Sequence, residues 1–195
     1  MKNACPRWSF LAVPVLAALG CSDPVPLPAQ AAITLSIAKP VGTAAVPGKD
    51  CGVTQTYQVG DPTPPNTITH GDSVIDGDKG ASVACSVRGK GPFTFSGSVH
   101  AAALDSNKNP ITVTFTDGQV GADMLNGTAT VSVFTPQLAG TFNSEPGACK
   151  ISVLHGQIKP GSIWATFSCP GISAPPALLC AISESVIVFE NCDGS

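Results

Sequence analysis

The sequence predicts an all-β domain braced by disulfides. Apolar residues recur with a period of two in short runs, and glycine, proline, asparagine and aspartate bound those runs. Helical periodicity is nearly absent, and an even set of six cysteines lies beyond position 21. About nine short, mostly antiparallel strands separated by turn signals read as a β-sandwich, with a β-barrel as the alternative.

The first strands are expected near 33–38 and 53–59. The stretch 60–80 follows as an irregular surface loop, with Asp61-Pro62-Thr63-Pro64-Pro65 at one end and Asp76-Gly77-Asp78-Lys79-Gly80 at the other. A third strand is expected over 81–88. The clearest alternations come next. Phe93, Phe95 and Val99 alternate with Thr94, Ser96 and Ser98, and Ile111, Val113 and Phe115 with Thr112, Thr114 and Thr116. Ala129, Val131 and Val133 alternate with Thr128, Thr130 and Ser132. Threonine suits such strands because its β-branch is stiff on a pleated surface and its hydroxyl faces water. Strands near 150–158, at 162–167 (Ile163, Ala165 and Phe167 inward) and near 185–190 complete the set.

Strand parity places four cysteines with core residues: Cys85 beside Val83 and Val87, Cys149 beside Ile151 and Val153, Cys169 beside Phe167, and Cys192 beside Val188. With Cys51 and Cys180 these form an even set of six, which fits three disulfides. The local pair expected from spacing is Cys169–Cys180, closing a loop that holds Pro170, Pro175 and Pro176. The other four allow three connectivities. No C-x-x-C occurs, so neither a redox-active motif nor a zinc ribbon is expected.

The N-terminus carries basic Lys2 and Arg7, an apolar run from Phe10 to Leu19, and small residues before Cys21. The run is too short to span a hydrocarbon core of ~30 Å as a helix. Ala17-Ala18-Leu19-Gly20-Cys21 resembles the lipobox of bacterial envelope lipoproteins. That resemblance implies cleavage after Gly20 and diacylglycerol linked to Cys21, which becomes the N-acylated first residue. Ala18 departs from the leucine most usual at its position. The domain reading is therefore a signal peptide over 1–20, a lipidated cysteine and proline-rich tether over 21–31, and a single β domain over 32–195. With ~0.8 kcal/mol per buried CH₂, two or three acyl chains make such anchoring effectively permanent.

Removing residues 1–20 removes Lys2 and Arg7 and no acid, which takes the basic count from 10 to 8 against 13 acids. A mildly acidic chain without a Lys/Arg cluster is not expected to bind nucleic acid. No cofactor motif is present: G-x-S-x-G, H-E-x-x-H, phosphate loops and dinucleotide fingerprints are all missing. His70, His100 and His155 are widely spaced, and Ser98 and His100 share a strand face without further triad signal. Asp105, Asn107 and Asn109 have calcium-ligand spacing, but Pro110 stands where an EF-hand loop needs glycine. Asp72, Asp76 and Asp78 form a second, equally weak calcium candidate, and both loops also read as turns. Asn126-Gly127-Thr128 matches a glycosylation acceptor and reads here as a turn. Trp164 points opposite to Ile163 and Ala165; it is either an exposed ligand-binding platform or part of a strand buried on both faces.

The expected function is a non-catalytic envelope lipoprotein with a structural or binding role, held to the membrane by its lipid. In a cell with two membranes, Ser22 after Cys21 is compatible with release to the outer membrane. The alternatives are an adhesion-type module for carbohydrate or an envelope protein, calcium-assisted, and a hydrolase whose catalytic set is dispersed in sequence.

Overall fold

A computed structural model of the chain describes residues 25–40, 49–62, 72–103, 109–138, 140–175 and 178–195, apart from the side chain of His155. These form eleven strands: β1 (Gln30–Ala38), β2 (Gln55–Val59), β3 (Val74–Ile75), β4 (Ser82–Gly89), β5 (Phe93–Ala102), β6 (Pro110–Val120), β7 (Asn126–Phe134), β8 (Thr141–Ser144), β9 (Cys149–Lys159), β10 (Ser162–Ala174) and β11 (Leu178–Glu190). The all-β expectation holds, and all nine expected strands are present. Sequence reasoning missed two short ones. β3 interrupts the stretch read as an irregular loop, and β8 has too few residues to show a period.

The strands hydrogen-bond as one continuous sheet in the order β2-β1-β11-β10-β8-β7-β6-β5-β4, with β3 paired to β1 and β9 bridging β10 and β7. Every pair of named strands is antiparallel. The sheet folds over so that its inner face packs on itself. Phe115 of β6 meets Phe167 of β10 at a centroid distance of 5.0 Å and Phe189 of β11 at 6.0 Å, both edge to face. Gly97 of β5 provides room for this: a Cβ there would stand 2.5 Å from the Phe189 ring.

Bulges explain where simple parity fails. In β6 the register shifts between Thr116 and Gln119, with Asp117 at φ 51° as the extra residue, so buried positions move from Phe115 to Gly118 and Val120. In β11 buried positions pass from Ile182 to Ser185. There the Ser185 hydroxyl accepts the Ser36 amide at 3.0 Å and donates to the Ser183 carbonyl. Among the described residues the other buried serine and threonine hydroxyls are also partnered: Ser144 accepts the Val131 amide at 2.9 Å, and Thr135 meets the Tyr57 hydroxyl at 3.3 Å.

The six described cysteines form Cys51–Cys180, Cys85–Cys192 and Cys149–Cys169. The expected Cys169–Cys180 pair is thus wrong. The β10–β11 register puts Cys169 opposite Ile182 and Cys180 opposite Ile172, so the two never face each other. The β9–β10 register instead runs Phe167 to Ile151 and Ser168 to Lys150, which brings Cys169 against Cys149 with Cα atoms 4.2 Å apart. The other two bridges tie distant segments. Residues 49–51 lie beside the start of β11, where Cys51 N donates to the Leu179 carbonyl at 2.8 Å. Residues 192–193 lie along β4, where Asp193 exchanges backbone bonds with Cys85 and Val87 at 3.0 and 2.8 Å. On a loop-entropy account, separations of 129 and 107 residues are worth about 5 kcal/mol each, against about 3 for the separation of 20.

Gly97→Ala should destabilise the domain by about 1–3 kcal/mol, because the new methyl must displace Phe189 or part β5 from β11. Urea midpoints of the two proteins test this; an unchanged midpoint would show that the core tolerates that separation.

Candidate functional site

A surface cleft lies on the outer face of the sheet, where β9, β10 and β11 come to their ends. Cross-strand register sets Ala32 of β1 opposite Val188 of β11, and Val188 opposite Trp164 of β10. These three form a small apolar cluster separate from the main core. Trp164 is only 8% exposed. The strand is therefore buried on both faces here, and the exposed-platform reading of Trp164 does not hold. The indole Nε1 donates to Glu190 Oε1 at 3.2 Å, which satisfies its one polar group.

A bulge in β9 shapes the cleft. The β9–β10 register slips between Ile163 and Ala165, and Gly156 takes a positive φ of 68° that lets the extra residues turn. Gly156, Gln157 and Lys159 then line one side of an open cleft of about 300 Å³, with Ser162, Trp164 and Glu190 on the other. A neighbouring hollow of about 350 Å³ shares Lys159, Ser162 and Glu190 and reaches Asn191. An indole edge between a cation, a carboxylate and neutral hydrogen-bonding groups can hold an amphipathic ligand. Of these residues, sequence reasoning singled out only Trp164. The signal it passed over was a glycine inside an apparent strand, which marks a bulge.

A second hollow of about 330 Å³ lies on the outer face of β4, β5 and β6, lined by Ser86, Arg88, Thr94, Asp117 and Gln119 among others. Arg88 pairs there with Asp193. The Ser195 hydroxyl, the Arg88 guanidinium and the Ser195 amide together hold the Asp193 carboxyl down at about 2. Asp50 and Asp123 are also lowered, mainly by accepting the amides of Gly52 and Leu125 respectively. These shifts fit carboxylates that cap turns.

The weaker candidates resolve into local structure where they are described. The Asp76 carboxylate accepts the Val83 amide at 2.8 Å, the Asp78 carbonyl accepts the Ala81 amide at 2.8 Å, and the Asp72 carbonyl accepts the Asp61 amide at 2.6 Å. Among the described residues no three His, Cys, Asp or Glu side chains are grouped to hold a metal, so Asp72, Asp76 and Asp78 are not brought together. The Asn109 carbonyl accepts the Ala103 amide at 2.9 Å, while Asp105 and Asn107 lie outside the described residues. His100 is exposed and its Nδ1 meets Thr112 Oγ1 at 2.8 Å. Cys21, His70 and the side chain of His155 lie outside the description. In comparisons with known proteins, no family model, curated protein or solved structure matches this chain.

Trp164→Ala is expected to lower stability by on the order of 3 kcal/mol, as for a buried aromatic, with the loss read by urea denaturation; a near-neutral effect would return Trp164 to the role of surface platform. The depressed Asp193 carboxyl fixes a sign for pH. Its contribution is present above the ordinary value of 3.8 and is lost as pH falls through about 2. Wild type should therefore lose stability across that window more steeply than Asp193→Asn, and parallel urea-midpoint profiles would refute the assignment.

Proposed function

We propose that the chain is an exported, lipid-anchored, non-catalytic β domain that serves a structural or binding role at the cell envelope. The observation that carries this reading is the cysteine pairing. All six described cysteines are joined in three disulfides, which are at home in an oxidising compartment. Of the 8 cysteines in the sequence, Cys5 leaves with the proposed leader, so Cys21 is the one cysteine of the mature chain outside that set of six. A lipid on Cys21 accounts for it. Residues 25–28 are exposed and lead into β1 at Gln30, as a tether between anchor and domain requires.

Within this reading the ligand-binding part is the cleft of Gln157, Lys159 and Glu190, with the buried Trp164 as its floor. Its lining sets an indole edge among a lysine, a carboxylate and a glutamine, which suits a carbohydrate or a polar peptide surface. The partner set is thus the membrane, through the acyl chains, and one envelope carbohydrate or protein at the cleft.

Cells fed labelled palmitate should incorporate it into wild type and not into Cys21→Ala, and the variant should leave the membrane fraction. The mature wild-type mass should begin at Cys21 and take no alkyl groups under denaturing, non-reducing conditions. Label retained by Cys21→Ala, or reactive thiols in the wild-type chain, would overturn the proposal.

A further inference from the structure

Because neighbouring strands are antiparallel, the start of β1, the end of β11, the start of β10, the start of β7, the end of β6, the start of β5 and the end of β4 share one end of the sheet. Exposed apolar side chains are gathered there. Among the described residues the large hydrophobic side chains open to solvent are Val25, Leu27, Ile75, Met124, Leu125 and Phe134, and five of these six belong to that end. Val25 and Leu27 lie on the segment entering β1, and Ile75 pairs with Gln30 at its first residue. Met124 and Leu125 form the tip of the β6–β7 loop, 38% and 50% exposed. Phe134 alone lies at the opposite end, on the last residue of β7.

The Met124–Leu125 tip is a built turn. The Met124 amide donates to the Gly121 carbonyl at 3.0 Å, and Gly121 N donates to the Asn126 carbonyl at 2.9 Å. Asp123 accepts the Leu125 amide at 3.1 Å, and the Leu125 carbonyl accepts Val153 N of β9 at 2.7 Å. With its backbone fixed in this way, the turn presents two apolar side chains where turns ordinarily carry polar ones. The neighbouring β4–β5 turn presents exposed Lys90, Gly91 and Pro92 beside it.

We propose that this end of the domain rests on the membrane, with Met124 and Leu125 entering the headgroup–acyl boundary. The inference rests on the lipid-anchor reading above. From Cys21 to Gln30 the chain spans nine residue steps, at most ~32 Å when fully extended, so the tether keeps the end where β1 begins close to the bilayer. The apolar tip stands at that same end and inserts without rearrangement of the fold. Acyl chains and tip together form a two-part attachment that fixes the orientation of the domain, leaving the end with Phe134 facing away.

The test uses the full lipidated chain in vesicles of phosphatidylethanolamine and phosphatidylglycerol. An environment-sensitive dye is placed at Leu125→Cys or, as the opposite-end control, at Phe134→Cys. Flotation of the protein with the vesicles reports the anchor. The dye at position 125 should shift to the blue and be quenched by lipid-borne quencher, while the dye at 134 should be quenched by aqueous iodide. Flotation with both dyes equally open to iodide overturns the orientation and leaves the anchor standing; failure to float overturns the anchor. A blue shift that follows protein density and ignores the lipid quencher assigns the tip to a second copy of the chain and also overturns the inference. An unmodified chain gives an independent readout, since the sequence has 2 methionines and Met1 leaves with the proposed leader. Sulfoxide formation at Met124 by a membrane-impermeant oxidant should be several-fold slower on vesicles than in the soluble Cys21→Ala form, and equal rates overturn the proposal.

Discussion

The contact between Phe189 and Gly97 is the constraint on which the rest of the fold depends. A sheet of eleven strands buries its inner face only by folding over, and β5 must then approach β11 closely. Glycine at 97 removes the side chain that would hold them apart, and the ring of Phe189 takes its place. Phe115 closes the cluster against both Phe167 and Phe189 in edge-to-face geometry, so β6 is held to the distant β10–β11 pair through one aromatic group. Within the β5–β6 ladder Gly118 leaves room for the ring of its cross-strand partner Phe95.

Folding over leaves edges, and the chain covers one with its own terminus. The outer edge of β4 is bonded by Asp193, while Gly161 donates to the Val87 carbonyl at 2.9 Å and accepts Cys192 N at 2.9 Å. Cys85–Cys192 makes that seam covalent, and Cys51–Cys180 does the same for the segment beside β11. Surface charges contribute little to holding such a chain together, since ion pairs like Lys39–Asp50 are solvent-exposed. A domain with only 12% charged residues relies instead on burial and on these cross-links.

The bulges connect the fold to the candidate site. The β9 bulge turns Gly156, Gln157 and Lys159 toward the cleft beside Trp164, at the cost of regular pairing with β10. The cleft, the start of β1 and the Met124–Leu125 tip all belong to the same end of the sheet.

The sequence by itself determined the all-β class, the position of nine strands and the inward face of the alternating runs such as Phe93–Phe95 and Val131–Val133, because a period of two is local. It also predicted that the six cysteines beyond position 21 would pair, since their number is even and no C-x-x-C motif competes for them. Which cysteines pair was decided by tertiary structure: Cys169 meets Cys149 through the β9–β10 register, and a slip near Pro170 and Gly171 sets Cys180 out of reach. The same reason hid β3 and β8, whose few residues form strands only because β1, β7 and β10 offer unsatisfied backbone groups beside them. Trp164 was ambiguous for a related cause: its parity was legible, but the neighbours that bury its outer face, Ala32 and Val188, come from strands 132 and 24 positions away in sequence. Alternation tells which way a side chain points; only the register between distant strands decides what it meets.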